Sequence, residues 1–137
     1  MGRIALFVAT WLMAAPACAG ERAVVDALAE RSRIPAEELR VLLADCEKTQ
    51  RSMNVCAFRD HVAADLEMMA ALRKAASLLD DPQRQALTAA QDAWAIETRS
   101  RCEAEADGAA EGGSMRPMVF SHCMEQETRR RTAGLAR

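Results

Sequence analysis

Only a few side chains in this chain are suited to covalent or acid–base chemistry, and their spacing limits what they can do. There are five cysteines, Cys18, Cys46, Cys56, Cys102 and Cys123, and two histidines, His61 and His122. Cys18 belongs to an N-terminal segment with its own logic, which leaves four for the folded domain. Their spacings are 10, 46 and 21 residues. A structural metal site wants closely spaced pairs such as C-x2-C, which are lacking here. An even cysteine count in a short exported chain fits a disulfide framework instead. A cysteine nucleophile would need a free thiol beside an imidazole. Cys56 and His61 are five residues apart and share no helix face cleanly. The acids Glu103, Glu105, Asp107 and Glu111 gather around glycines, as a solvated loop does. No phosphate-binding loop, zinc signature or serine elbow is present. The expectation is a protein that is not an enzyme and uses no cofactor and no metal.

The redox argument depends on export, and the N-terminus speaks for it. Met1-Gly2-Arg3 gives a positive start, Ile4 to Ala15 is an uncharged apolar run, and small residues precede a cut after Ala19. This is the three-part pattern of a secretory signal peptide. The run falls short of the roughly 20 residues a membrane span needs. A second export reading stays open, in which Cys18 is lipidated and anchors the protein to a membrane. The expected organisation is a signal peptide over 1–19 and one domain over 20–137, with its core at about 35–135. The expected location is the periplasm or the medium. The formal charge of −2 becomes −3 once Arg3 leaves with the signal. That is too mild to argue for nucleic acid or for an acidic lipid surface.

The elements that must position these residues read as helices. Ala, Leu, Glu, Arg, Gln and Met dominate, and these are good helix formers. Three Phe, two Trp and no Tyr are too few aromatics for a β-sandwich. The charges of 20–34 are unpatterned, which suggests a short, loosely held helix. Pro35 then opens a clearer one, with Glu37 and Glu38 suiting its N-terminal dipole. Thr49 caps a long helix whose apolar stripe runs Val55, Phe58, Val62, Leu66, Met69, Leu72, Ala76 and Leu79. Asp81 is the expected cap of the next helix and Pro82 its first residue. That helix carries Leu87, Ala90 and Trp94, with Trp94 expected to anchor the core. Three glycines break the pattern between Gly108 and Ser114, and Pro117 lets a last helix begin. Its basic triplet Arg129-Arg130-Arg131 suits a C-terminal dipole and a solvated tail. The predicted fold class is all-α: a small disulfide-stapled helical bundle. It has a long antiparallel helical hairpin plus shorter N- and C-terminal helices.

A short turn makes long helices antiparallel neighbours. Reflection about Asp80-Asp81 places Cys102 opposite residue 59, one turn from Cys56. At 1.5 Å per residue, Cys46 would lie about 20 Å further along a continuous helix. This register predicts the bridges Cys56–Cys102 and Cys46–Cys123.

Three stretches also resemble a known family. They are Thr49-x3-Met53-Asn54-x-Cys56 with Asp65 nine residues on; Gln91-x2-Trp94-x7-Cys102; and Gly112-Gly113-Ser114-x2-Pro117-Met118 followed by Cys123-x4-Thr128-x2-Arg131-x3-Leu135. Together they resemble the LprI-type lysozyme-inhibitor family over about Cys46 to Leu135. Met69 and Thr98 depart from the family pattern, which often has asparagine and arginine there. The resemblance implies a helical, disulfide-bonded envelope protein that binds a protein partner, with lysozyme the candidate. The alternative is a structural or adaptor domain of the envelope without lysozyme activity. Common animal lysozymes are basic, and acidic charge on a partner raises association rate more than affinity. The expected contact element is the loop from Gly108 to Met118, with Glu111, Ser114 and Arg116. It is the longest glycine-rich break, and it is pinned between two cysteines. Arg116 could pair with a carboxylate of a glycosidase cleft, and Ser114 could donate a hydrogen bond to it.

Overall fold

The computed structural model describes residues 16–136. They form α1 (Pro16–Ser32), α2 (Ala36–Leu43), α3 (Gln50–Ala76), α4 (Asp81–Ala110) and α5 (Arg116–Leu135), and no strand occurs among the described residues. The fold is all-α, as expected. The apolar run Ile4–Ala15 and the side chain of Cys18 lie outside what the structure describes, and the boundary after Ala19 falls within α1.

Side-chain caps set the starts of the two long helices, α3 and α4. Thr49 Oγ1 accepts from the Ser52 N–H at 3.0 Å and starts α3, satisfying one of the free donors of the first turn. The cap of α4 is Asp80 rather than Asp81. Its carboxylate accepts from the Gln83 N–H at 2.9 Å, while Gln83 Oε1 accepts from the Asp80 N–H at 3.1 Å. That reciprocal pair needs Gln83 three residues on, and only Asp80 has it. Pro82 is therefore the second helical residue.

The core centres on Leu28, Leu39, Val55 and Val62, packed with Ile34, Phe58 and Leu66. This corrects the expectation of a loosely held N-terminal helix. Leu28 is fully buried, and Arg31 bridges to Asp65 at 2.7 Å. A two-turn stripe of Val24, Ala27 and Leu28 suffices to dock α1, although the surrounding charges hide it.

The long antiparallel hairpin of α3 and α4 is present, and the two helices meet near their turn, where Gln91 Nε2 lies 3.5 Å from Met68 Sδ. Further from that turn α5 inserts between them and packs along both. Buried small residues, Ser52 and Ala64 on α3 and Ser121 and Thr128 on α5, let those two backbones lie close. The two helices run parallel. Asn54 Nδ2 donates to the Ser114 carbonyl at 3.0 Å near their starts, and Arg129 meets Glu67 at 3.5 Å further along. α4 is antiparallel to α5, tied by Arg101–Glu127 at 2.9 Å. The order across the molecule is α1 and α2, then α3, then α5, then α4. The buried face of α3 shifts accordingly, with Met68 buried and Met69 42% exposed.

The four cysteines are all in bridges, but the pairing is Cys46–Cys56 and Cys102–Cys123, with Cα separations of 5.8 and 5.6 Å. Cys56–Cys102 and Cys46–Cys123 are not formed. Cys56 and Cys102, opposite by reflection, do not meet because, that far from the α3–α4 turn, α5 lies between the two helices. Applied to the next turn, the same geometry succeeds. Cys102 stands ten residues before Gly112, and Cys123 ten after Gly113. Cys46 lies in the α2–α3 turn, where the chain folds back toward Cys56.

Candidate functional site

Because the cysteines are spent in bridges, none of the four is free as a nucleophile or metal ligand. The histidines are well separated in environment. His122 is exposed, with a ring nitrogen 2.7 Å from Gln126 Nε2. His61 faces inward, and its Nδ1 is buried without a hydrogen-bond partner. Desolvation holds the His61 pKa below its ordinary value, with Asp65 and Glu125 opposing and Arg31 and Arg99 assisting. Among the described residues neither imidazole neighbours a free thiol, and no Cys–His couple is assembled there.

The glycine turn is shorter than its composition suggests, because α4 continues through Gly108 to Ala110. Glu111 then adopts the left-handed conformation, with φ 45° and ψ 38°, and donates its N–H to the Asp107 carbonyl at 3.1 Å. Gly112 follows at φ 73°. Two consecutive left-handed residues reverse the chain, and only the second is a glycine. Glu111 and Ser114 are exposed at this tip. Arg116 is not free: its guanidinium donates to Asp107 on α4. That bond holds the Asp107 carboxyl below the usual carboxylate range. The turn therefore presents Glu111 and Ser114 outward, while Arg116 ties its two ends together.

Beside the turn, a groove of about 450 Å³ opens between α3 and α5. Its floor is Met53, Ala57, Met118, Val119 and the Cys46–Cys56 bridge, and its rim carries Asp60, Glu105, Glu125 and His122. Asp60 pairs with Arg59 at 2.8 Å and Glu125 with Arg129 at 2.8 Å. Among the described residues Glu105 makes no such pair. The turn and groove are contiguous, since Asn54 holds the Ser114 carbonyl and Met118 begins the groove wall. Reading the sequence singled out the turn and missed the groove. Its two methionines did stand within the quoted motifs, whereas its acids come from three separate helices.

The remaining motif residues hold helices together. The Arg131 guanidinium lies 5.9 Å from the centre of the Trp94 ring, and its Nε donates to Gln91 Oε1 at 3.0 Å. Gln91 Nε2 in turn reaches Met68 Sδ at 3.5 Å. One cluster thus joins α3, α4 and α5. Trp94 is half-buried rather than the enclosed anchor expected, and Ala90 is exposed. The inner face of α4 runs through Leu87, Gln91, Trp94, Thr98 and Cys102. Thr98 is 1% exposed, and the adjacent Arg99 lies over Phe120 at 5.7 Å. The basic triplet is largely engaged within the molecule, Arg130 with Glu127 and Arg129 with Glu125 and Glu67.

These features define a class: a small helical domain pinned at two turns by disulfides, with an acid-rimmed groove beside one of them. The chain belongs to the family described as lysozyme inhibitor LprI, whose sequence model matches residues 44–135. It is also similar to an uncharacterized protein of Rhizobium meliloti (strain 1021). The two are 35% identical over 106 residues, covering 66% of this chain and 76% of the relative. No solved structure matches the chain.

Proposed function

We propose that this chain is an exported protein that binds a lysozyme and blocks it without catalysis of its own. The observation that carries this reading is the family match from the α2–α3 turn to the end of α5. Export is supported by the signal-like N-terminus and by two bridges that belong in an oxidising compartment. The anchored form, lipidated through Cys18, belongs to the same proposal. No helix among the described residues is long and apolar enough to cross a membrane.

The contact element in this reading is the turn at Glu111 and Ser114, with Arg116 bracing it. A non-glycine residue held left-handed costs about 1 kcal/mol or more, and such strain concentrates where function requires it. The turn is pinned by Cys102–Cys123 and by Arg116–Asp107, so little ordering remains to oppose binding. Because Arg116 is engaged, Glu111 and Ser114 are the groups presented to a partner. The test is a lysozyme activity assay with the purified oxidised protein, comparing wild type with Glu111→Ala/Ser114→Ala/Arg116→Ala. Inhibition by the wild type that weakens in the triple variant supports the reading. A wild type that leaves lysozyme fully active at molar excess overturns it.

A second reading, an envelope adaptor, has one observation in its favour. The outer face of α4 lies largely in solvent, with Ile96 73% exposed. Co-purification with envelope assemblies, together with inert behaviour toward lysozyme, would favour it.

A further inference from the structure

We infer that the groove between α3 and α5 is a receptor for a basic side chain of a protein partner, a lysine or arginine whose stem lies on the methionine floor. The inference rests on the reading that this chain works by binding protein. It differs from that reading in placing recognition beside the glycine turn, with the opposite polarity from an arginine reaching out of it.

The groove has the two surfaces that such a side chain needs. Lysine and arginine carry an aliphatic stem below a charged head. The stem's counterpart is the floor of Met53, Met118 and the Cys46–Cys56 bridge, which is polarisable and apolar. The head's counterpart is the rim of Asp60, Glu105 and Glu125, contributed by three different helices. Asp60 and Glu125 are already shared with Arg59 and Arg129. Glu105 therefore supplies the acceptor without an internal ion pair, and the other two offer further carboxylate oxygens beside it. A partly enclosed apolar floor excludes water and strengthens a charge-assisted hydrogen bond at its edge. The floor is also fixed before binding, because the disulfide forms part of it.

Charge complementarity selects the occupant. An anionic segment would be repelled at the rim, and a purely aliphatic one would leave Glu105 without a partner, whereas a cation beside an apolar neighbour satisfies both surfaces. The groove continues into the turn through Met118 and the Asn54–Ser114 contact. A partner seated on the Glu111–Ser114 tip therefore lies next to the groove mouth.

The experiment uses the oxidised full-length protein with an animal lysozyme of the common type. Binding is measured by calorimetry at physiological salt, and the methionine methyl signals are followed by NMR. Asp60→Asn/Glu105→Gln removes two of the three rim carboxylates, including the one without an internal ion pair, and Ala57→Phe fills the groove without changing charge. Asp92→Asn/Glu97→Gln makes the same charge change on exposed positions of α4. The expected result is at least a tenfold rise in Kd for the first two variants, near-wild-type binding for the third, and shifts of the Met53 and Met118 signals. Lysozyme binding that is unchanged in both groove variants overturns the inference and leaves the proposed function standing. If lysozyme does not bind at all, the proposed function fails and a short peptide of lysine and leucine becomes the probe. Saturable binding of that peptide, lost in both groove variants, supports the receptor. No binding of the peptide, or equal binding to all variants, overturns it.

Discussion

Two residues, His61 and Trp94, show how single side chains here answer to several helices at once. His61 is desolvated on α3, with Asp65, Arg31, Glu125 and Arg99 around it from α3, α1, α5 and α4. Its folded pKa lies below the ordinary value of about 6.5, so the unfolded chain takes up the proton first. Its contribution to stability is fully present above pH 6.5, and it falls as pH drops toward the lowered value. Urea unfolding at pH 7.5 and pH 5 should show this loss, and His61→Gln should flatten that part of the slope. An equal pH slope in the variant would assign the loss to carboxylates. Trp94 is half-buried under Arg131. Complete burial would make Trp94→Ala cost about 3–5 kcal/mol. With the ring only partly buried and a cation–π contact, a loss of about 2 kcal/mol is expected. Denaturant midpoints for Trp94→Ala and Arg131→Gln, singly and together, would show whether the two act as a pair.

At the scale of elements, each disulfide closes one turn. Cys46–Cys56 fastens α2 to the start of α3, and Cys102–Cys123 fastens the end of α4 to α5. The loops closed are 10 and 21 residues in separation, so the entropic contribution of each is about 3 kcal/mol. Non-reducing peptide mapping should recover those two links and neither Cys56–Cys102 nor Cys46–Cys123. The double replacement Cys102→Ala/Cys123→Ala should cost about 3 kcal/mol and loosen the distal end of α4, read as faster amide exchange there. α4 is held along its inner face by the Gln91–Trp94–Arg131 cluster as well, so its other half should stay protected. Through that cluster the motif residues Gln91, Trp94 and Arg131 act as braces between helices. A glutamine, a tryptophan and an arginine from two helices satisfy one another.

For the whole molecule, the decisive feature is that α3 is central, with α1 and α2 on one side and α5 then α4 on the other. α1 is part of this order, since Leu28 is fully buried in the main core. Leu28→Ala in a chain beginning at Gly20 should lose about 2–5 kcal/mol by thermal or denaturant unfolding. A loss within about 0.5 kcal/mol, the range of a neutral surface change, would mean that α1 is dispensable. The sequence by itself determined the helical class, the spans of α2 to α5 to within a few residues, the caps at Thr49 and near Asp80, and the family. Those properties are local, arising from apolar period, proline, glycine and capping side chains read over one or two turns. Only the tertiary structure decided which helices touch. Two long helices joined by a short turn look like partners on the page, yet small residues on α3 and α5 let those two pack more closely. That choice exchanged the disulfide pairing and left α4 as an outer layer. It also brought Asp60, Glu105 and Glu125 to one rim. Residues that distant in sequence meet only through the packing of helices, which no local period encodes.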